Sequence, residues 1–387
     1  PPFWRDDEPK NVGDWFITKV TERILDIDEL LVVRPDATAP AFEEVNSTCD
    51  AVILKGGNYL HPGGLLRRAI GLDVFHKLKI PIIMFGSGVQ AGIGEPVWFD
   101  DEDIEILRYI HDSCAASCVR GWSAAEALER IGITNTVVTG CPTLFWAREP
   151  ELRLRPPGDR AAVFTFRDGL FTPEDRFYRN QFAAIERVRD LFSHVTVALQ
   201  GEEIALQDLY MAERWGVDGG GVVRPDAHID GLMRLRRARL DPAELRDVVH
   251  ERYDRYTRPA FVDWVSANSF FSWDIADYLD LYRSVDVIVG CRFHGNLLAL
   301  ANGTPAYYLT YDQRTEELVD LLGLPSHRLP DLDPLFDPRV ADWSVFEVRY
   351  RALYERMLAF LDVNGLRHRM PRPAVPEATT AEVPAHV

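Results

Sequence analysis

The sequence is short of cysteine, of long apolar runs and of positive charge. Its 387 residues include five cysteines, with no Cys-x-x-Cys pair and no nearby histidine cluster to complete a tetrahedral zinc site. We interpret them as reduced, mostly buried thiols. Neither a disulfide framework nor a bound metal is predicted.

The apolar runs are too short to cross a bilayer, which takes roughly 20 residues of helix. The first residues also lack the basic and then apolar order of a signal peptide. The sequence therefore predicts a cytoplasmic protein with no membrane-spanning segment. A chain of 387 residues exceeds what one hydrophobic core usually supports, so two domains are expected.

Positive charge is scarce, because 43 lysines and arginines face 60 aspartates and glutamates, for a net charge of −17. Nucleic-acid binding depends on clustered positive charge, so no nucleic-acid partner is expected. An acidic protein that binds an anion has to concentrate cations locally. Arginines inside motifs are therefore informative.

Short apolar runs alternate with longer amphipathic stretches in two blocks of the chain. Strands separated by helices predict parallel sheets, and so an α/β fold with one sheet in each block. In the first block, strands are predicted at 51–54, 81–85 and 136–139, and helices at 101–112 and 123–131. In the second, strands are predicted at 161–166, 194–199, 285–289 and 306–309, and helices at 173–192, 275–284 and 315–322.

The predicted domains are 1–150 and 158–330, followed by a helical segment at 331–365. A long helix at 344–363 is expected to pack back across the first domain or the hinge. Residues 366–387 are rich in proline and alanine and are expected to be disordered. Within 217–256, where the alternation breaks, an arginine run is interpreted as the solvated face of a helix; it contains Arg234, Arg236, Arg237 and Arg239.

Glycine turns follow two predicted strands of the first block. Gly56, Gly57 and Asn58 come after one strand, and Gly86 and Gly88 after the next. Backbone N–H groups at the carboxyl edge of a parallel sheet can face an anion, so these turns are candidates for the floor of a ligand site. Each turn alone fits a tight connection without a ligand equally well.

Two further residues of the first block are candidates. Asp14 precedes an apolar helix, where an acid either caps the helix or bonds a ligand hydroxyl. Arg120 ends a short apolar run just before a helix, where a guanidinium can hold a phosphate or carboxylate. A structural salt bridge is the alternative for Arg120.

The strongest candidates follow the strand at 285–289. Arg292 and His294 stand two residues apart at the edge of the sheet, with Asn296 on the same turn and Arg314 after the next strand. An imidazole beside a guanidinium suits acid/base chemistry at a bound anion. The alternative is that His294 is a hydrogen-bonding residue that holds the turn.

Taken together, these segments resemble the polysaccharide pyruvyltransferase family. The resemblance spans roughly residues 11–322, which is most of the chain. It includes NVGD, KGGN, GSG, VRGWSAAEALERIGI and CRFHGNLLALANGTPAYYLTYDQR. It implies two Rossmann-like domains facing across a cleft, as in GT-B glycosyltransferases. It also implies transfer of a pyruvyl group from phosphoenolpyruvate to sugar hydroxyls, commonly as a cyclic ketal, without a metal or other cofactor.

The resemblance also implies roles for individual residues. His294 would act in acid/base catalysis, and Arg120 and Arg292 would bind the donor. Arg314 stands where the family often has lysine. Cys141 stands where many members have aspartate, which leaves the acceptor open.

The remaining candidates complete this expected site. Asp14 would position the acceptor or activate its hydroxyl, with the first domain on the acceptor side and the second on the donor side. Asn296 and the glycine turns would help to bind substrate. The expected partners are a small anionic donor and a carbohydrate-type acceptor, and a homo-oligomer is left open.

Two other functions stay open. A nucleotide-sugar glycosyltransferase with the same architecture would need a pocket for a base and a ribose, with Glu316 and Glu317 as open ribose candidates. A sugar- or anion-binding protein without catalysis is the second alternative. The presence of both His294 and the arginines speaks against it.

Overall fold

The computed structural model describes residues 11–31, 37–62, 66, 70–168, 175–201, 203–215, 222–226, 234–238 and 242–373. The helices of this part are α1 (Val12–Ile24), α2 (Ala39–Thr48), α3 (Leu72–Lys77), α4 (Asp101–Asp112), α5 (Trp122–Glu129), α6 (Asp175–Leu191), α7 (Ile204–Trp215), α8 (Pro242–Tyr253), α9 (Pro259–Ala267), α10 (Ile275–Arg283), α11 (Phe293–Leu300), α12 (Gln313–Leu322) and α13 (Ser344–Val363). None of these helices is both long and apolar enough to span a membrane.

The described strands are β1 (Val52–Lys55), β2 (Ile82–Ser87), β3 (Ser117–Val119), β4 (Thr136–Val138), β5 (Ala161–Thr165), β6 (His194–Ala198), β7 (Val222–Asp226), β8 (Arg234–Ala238), β9 (Ser269–Phe270), β10 (Val287–Gly290), β11 (Ala306–Thr310) and β12 (Ser326–Arg328). They form one four-stranded sheet in the order β1-β2-β3-β4, and one six-stranded sheet in the order β12-β11-β10-β5-β6-β9. All pairs within both sheets are parallel. The predicted α/β fold with two separate parallel sheets is confirmed.

Helix α1 joins the two halves of the molecule. It stands before the first sheet in the chain, yet its apolar face is fully buried in the core that surrounds the second. Phe16 packs edge-on against Tyr278 of α10, with ring centroids 5.3 Å apart. The N–H of Val12 donates to the carbonyl of Gln200, after β6, at 2.9 Å. The start of α1 is therefore fixed at the edge of the second sheet.

Helix α13 packs back on the first sheet. Phe360 is fully buried and lies against Phe85 of β2, with ring centroids 5.7 Å apart. Just after the helix, the Asn364 side chain donates to the carbonyl of Ala116 at 3.0 Å. The prediction that this helix returns to the first half of the molecule is confirmed.

Residues 366–373 differ from the expectation of a disordered tail. The N–H of Asp26 donates to the carbonyl of Arg367 at 2.9 Å, and the N–H of Arg369 donates to the carbonyl of Ile24 at 2.7 Å. Met370 is buried. Backbone pairing with the end of α1 orders this segment, and the rest of the expected tail lies outside the described residues.

The arginine run also differs from its interpretation as a helix. Residues 234–238 form β8, which pairs antiparallel with β7. Val222 and Val223 begin β7, and β-branched residues favour strands, so the run has a pairing partner that its own composition did not indicate. Arg239 lies outside the described residues.

We predict that Phe360→Ala lowers the free energy of unfolding by about 3 to 5 kcal/mol, because it leaves a cavity in a closely packed core. Urea denaturation measures the loss. Val348→Ala on the same helix is the matched control, since Val348 is 73% exposed and should change stability by no more than about 0.5 kcal/mol. Equal losses would contradict the packing of α13 described here.

Candidate active site

Candidate residues from both sheets meet around the ring of Phe293, the first residue of α11. The guanidinium carbon of Arg120, after β3, lies 5.4 Å from the ring centre. That of Arg314, after β11, lies 5.3 Å from it, and the His294 ring lies 5.1 Å away, edge to face. Arg292 directly precedes Phe293, and its charge helps to lower the pKa of His294. Side chains from the carboxyl ends of both sheets therefore lie in one group, which we call the arginine site: Arg120, Arg292, His294 and Arg314.

Among the described residues, the hydrogen bonds of Arg120 are made to Ser87 and Asn58, next to the first sheet. The backbone N–H of Arg120 donates to the Ser87 carbonyl at 2.8 Å. In its side chain, Nη1 donates to the Asn58 side-chain oxygen at 3.0 Å. Asn58 is held in turn by Gln90 at 3.2 Å. Arg120 is only 4% exposed, and its Nε and Nη2 have no hydrogen-bond partner among the described residues. Buried donors of this kind are costly when unpaired, and a bound anion would pair them.

The predicted glycine turns crowd against Arg120. A Cβ on Gly56 would lie 3.1 Å from its Nη2, and a Cβ on Gly88 would lie 2.9 Å from its Cδ. Gly86 has a φ of 80°, and a Cβ there would lie 2.3 Å from the Pro142 ring. These positions therefore leave room for the arginine and for close packing of the backbone.

Gly57, from the same turn, faces a different neighbour. A Cβ on it would lie 2.8 Å from the ring of Tyr59. Its lack of a side chain makes room for that aromatic ring.

Arg292 is engaged within the protein. It forms an ion pair with Glu203, and both side chains are buried. Its Nε donates to the Phe166 carbonyl at 2.9 Å. Glu203 also accepts from the N–H groups of Gln200 and Gly201, at 2.7 and 3.2 Å. The sequence indicated the cation at this position but not its buried partner.

Asn296 is engaged in the same way. It is fully buried, accepts from the Thr165 hydroxyl at 2.7 Å, and donates to the Gly290 carbonyl at 3.0 Å. These bonds tie β5, β10 and the start of α11 together. Its amide supports the turn that carries His294.

Arg314 sits on the first turn of α12, which begins with a capping box formed by Asp312 and Thr315. Its Nη2 donates to the Tyr311 hydroxyl at 2.7 Å and to the Asp312 carboxylate at 3.0 Å. Its buried Nε has no partner among the described residues. One donor of this guanidinium is therefore open to a ligand.

His294 is kept neutral. It is 9% exposed, and burial holds its pKa well below the usual value, helped by the positive charges of Arg120, Arg314, Arg292 and Lys55. Its buried Nε2 has no hydrogen-bond partner among the described residues. A neutral imidazole with an open nitrogen can accept a proton.

The start of α1 lies against His294. A Cβ on Gly13 would be 3.1 Å from the imidazole Nδ1, so glycine is what permits this approach. The helix is capped by Asn11, whose side chain accepts from the Gly13 N–H at 2.8 Å. Asp14 therefore is not the cap, and it lies in the first turn of α1.

Two residues near Asp14 were not singled out from the sequence. Lys55 ends β1 and donates to the Thr18 hydroxyl; burial lowers its pKa, while the Asp14 carboxylate opposes that change. Burial and the same carboxylate raise the pKa of Tyr59 to about 12. The position of Lys55 at the end of a predicted strand was the available signal.

The side chains of the arginine site are largely buried within the protein. A cavity of about 670 Å³ is lined in part by Trp122, Ser123, Gln313 and Glu317, but by none of the four residues of the arginine site. No group of three or more histidines, cysteines, aspartates or glutamates in the described ranges is placed to hold a metal ion.

The sequence matches the model of one protein family. The sequence model described as polysaccharide pyruvyl transferase matches residues 1–213 and 224–313. No curated protein matches the chain.

Solved structures similar to this chain include three sugar-nucleotide or glycosyl enzymes. A UDP-N-acetylglucosamine 2-epimerase is 12% identical over 89% of this chain and 83% of its own, with a TM-score of 0.41. The UDP-GlcNAc 2-epimerase of Methanocaldococcus jannaschii is 13% identical over 82% and 80%, with a TM-score of 0.36. The glycosyltransferase SnogD from Streptomyces nogalater is 14% identical over 93% and 79%, with a TM-score of 0.33.

The lowered pKa of His294 predicts how stability depends on pH. Below pH 6.5 the unfolded chain gains a proton at this histidine that the folded chain does not. The folded state therefore loses up to about 1.4 kcal/mol per pH unit on acidification. His294→Gln should remove this contribution, so its stability should fall less steeply between pH 6.5 and 5 in urea denaturation. An unchanged slope would contradict a neutral, buried His294.

Proposed function

The chain belongs to the polysaccharide pyruvyl transferase family, and on that premise we propose that it transfers a pyruvyl group from phosphoenolpyruvate to hydroxyls of a sugar-containing acceptor. The observation that carries the proposal is the pairing of two kinds of open group. Arg120 has two buried donors without partners among the described residues, and His294 beside it has an open nitrogen. The unpaired N–H groups of Arg120 suit an anionic substrate, and the open nitrogen of His294 suits proton transfer.

Phosphoenolpyruvate brings a phosphate and a carboxylate. Charge-assisted hydrogen bonds from Arg120 and Arg314 would hold these groups, since both side chains present open donors beside the Phe293 ring. In a protein of net charge −17, such a local group of cations is what favours an anion there.

His294 would act first as a base. In the proposed reaction the acceptor hydroxyl oxygen bonds to C2 of the donor while its proton passes to the neutral imidazole. The negative charges of the bound donor would offset the positive charges that keep the pKa of His294 low, so the imidazole would hold this proton and could deliver it to C3. His294, neutral again after this delivery, would take the proton of a second acceptor hydroxyl as that oxygen bonds to C2 and the C2–O bond to phosphate breaks, which gives the ketal and inorganic phosphate.

The other candidates take supporting parts in this proposal. Arg292, paired with Glu203, and Asn296 would position the turn that carries His294. Asp14, on the first turn of α1, and Lys55, at the end of β1, would face the acceptor. Orientation of donor and acceptor together would supply much of the acceleration.

Assays of released product separate this proposal from its alternatives. The protein is incubated with soluble sugar acceptors and either phosphoenolpyruvate or UDP-sugars. Inorganic phosphate released only with acceptor present supports pyruvyl transfer, whereas UDP release supports a glycosyltransferase. Binding of either donor with no release supports a non-catalytic binding protein.

We predict that His294→Gln lowers phosphate release at least a hundredfold, because general acid/base catalysis typically contributes about 10² to 10⁴. Calorimetry should show that the variant still binds phosphoenolpyruvate. His111→Gln is the matched control. His111 is also buried, but it lies on α4, beside the first sheet, where its Nδ1 forms a hydrogen bond with the Leu107 carbonyl. Turnover retained by His294→Gln would mean that this residue only holds its turn.

For Arg120→Ala we predict a rise in the Kd for phosphoenolpyruvate of about tenfold to a hundredfold, the effect of losing one charge-assisted clamp of roughly 1.5 to 3 kcal/mol. Arg108→Ala serves as control, because Arg108 is exposed and its described hydrogen bond goes to the backbone carbonyl of Ile131 rather than to a residue of the arginine site. Unchanged binding in Arg120→Ala would place the donor elsewhere.

A further inference from the structure

The start of α5 is capped by the other half of the molecule. Its N-cap residue is Gly121, which has no side chain to bond the first turn. Free N–H groups at a helix start need an acceptor. The Ser123 N–H donates to the carboxylate of Glu317, which belongs to α12 and the second sheet.

Glycine at position 121 makes this contact possible. A Cβ there would lie 2.1 Å from the Glu317 Cδ, so any side chain would push the carboxylate away. Burial raises the pKa of Glu317, while hydrogen bonds from Ser123 oppose the rise. The carboxylate is thus placed against the positive end of a helix, where a negative charge is favoured.

A second side chain of α12 also contacts the half of the molecule that contains the first sheet. The amide of Gln313 meets the Ser123 hydroxyl at 3.0 Å. With its nitrogen turned toward the carbonyls of Gly92 and Glu95, at 3.2 and 3.3 Å, both ends of the amide are satisfied. Two polar contacts from α12 therefore hold the start of α5.

The residues that make these contacts lie close in the chain to Arg120 and Arg314 of the arginine site. Arg120 directly precedes Gly121, and Arg314 directly follows Gln313. Their guanidinium carbons lie 5.4 and 5.3 Å from the Phe293 ring centre, so they cannot be farther apart than the sum of these distances. Two like charges would separate without a restraint between the elements that carry them.

We propose that Glu317 is a positioning residue of the anion site, which holds Arg120 and Arg314 at the spacing needed to bind one phosphoenolpyruvate between the two halves of the molecule. This inference rests on the proposed function, and it adds a residue that does not touch the ligand. Because the carboxylate acts across the boundary, its removal weakens donor binding through the arginines.

The test compares Glu317→Ala with Glu317→Gln by calorimetry with phosphoenolpyruvate and with inorganic phosphate, and by steady-state kinetics. Glu317→Ala should raise both Kd values about tenfold to a hundredfold and raise KM more than it lowers kcat. Glu317→Gln keeps an acceptor oxygen and should stay within about fivefold of the wild type. Asp320→Ala, an exposed carboxylate one turn along α12, should bind as the wild type does.

A double-mutant cycle shows whether Glu317 acts through Arg120. In an Arg120→Ala background, Glu317→Ala should change the phosphate Kd less than about threefold. Equal losses in both backgrounds, or wild-type binding by Glu317→Ala, would overturn the inference. So would an equal loss in Glu317→Gln together with a lowered Tm.

The outcome for the proposed function can be read separately. If the wild type binds inorganic phosphate but releases none from phosphoenolpyruvate, the proposed function fails, and the phosphate Kd still tests Glu317. If the wild type binds neither anion, the arginines do not form an anion site and the inference falls with them.

Discussion

Repulsion between like charges is the constraint on which the site depends, because four cations surround one buried imidazole. The structure restrains each cation with a partner from a nearby element rather than with a single shared acid. These partners are Asn58 for Arg120, Glu203 for Arg292, Tyr311 and Asp312 for Arg314, and Thr18 for Lys55. Three of these partners, Asn58, Tyr311 and Thr18, are neutral side chains, which fix a position without cancelling charge. Positive potential is therefore kept for a ligand, and the pKa of His294 is held low.

Close approach of backbone to side chain is the second condition for this arrangement. Gly13 lets the start of α1 touch His294, Gly56 and Gly88 make room for Arg120, and Gly121 makes room for Glu317. At none of these four positions does the backbone have the positive φ that itself demands glycine. Glycine is needed at these positions because a side chain would not fit, and not because of the backbone conformation. Each of these glycines therefore marks a close contact with a neighbouring side chain.

The local pattern of the sequence predicted the elements well and their long-range partners poorly. Helices 101–112 and 344–363 have the predicted bounds, because helical periodicity and caps are local signals. The pairing of Arg292 with Glu203, and of 366–373 with the end of α1, joins segments far apart in the chain. Period and composition carry no information on such contacts. For the same reason the sequence could place Arg120 at a sheet edge but could not tell which of its donors would be open.

The contacts of α12 bear on the choice between a pyruvyl donor and a nucleotide sugar. Arginines alone do not decide it, since both donors carry phosphate. A nucleotide sugar also needs an acceptor group for its ribose, and the sequence left Glu316 and Glu317 open for that role. Glu316 pairs with Arg328 at 2.6 Å, and Glu317 caps α5, so both carboxylates are already engaged. To bind a ribose, Glu317 would have to release the start of α5, whereas the ion pair of Glu316 involves a half-exposed arginine and contributes at most about 1 kcal/mol. A ribose at α12 would therefore cost more at Glu317 than at Glu316.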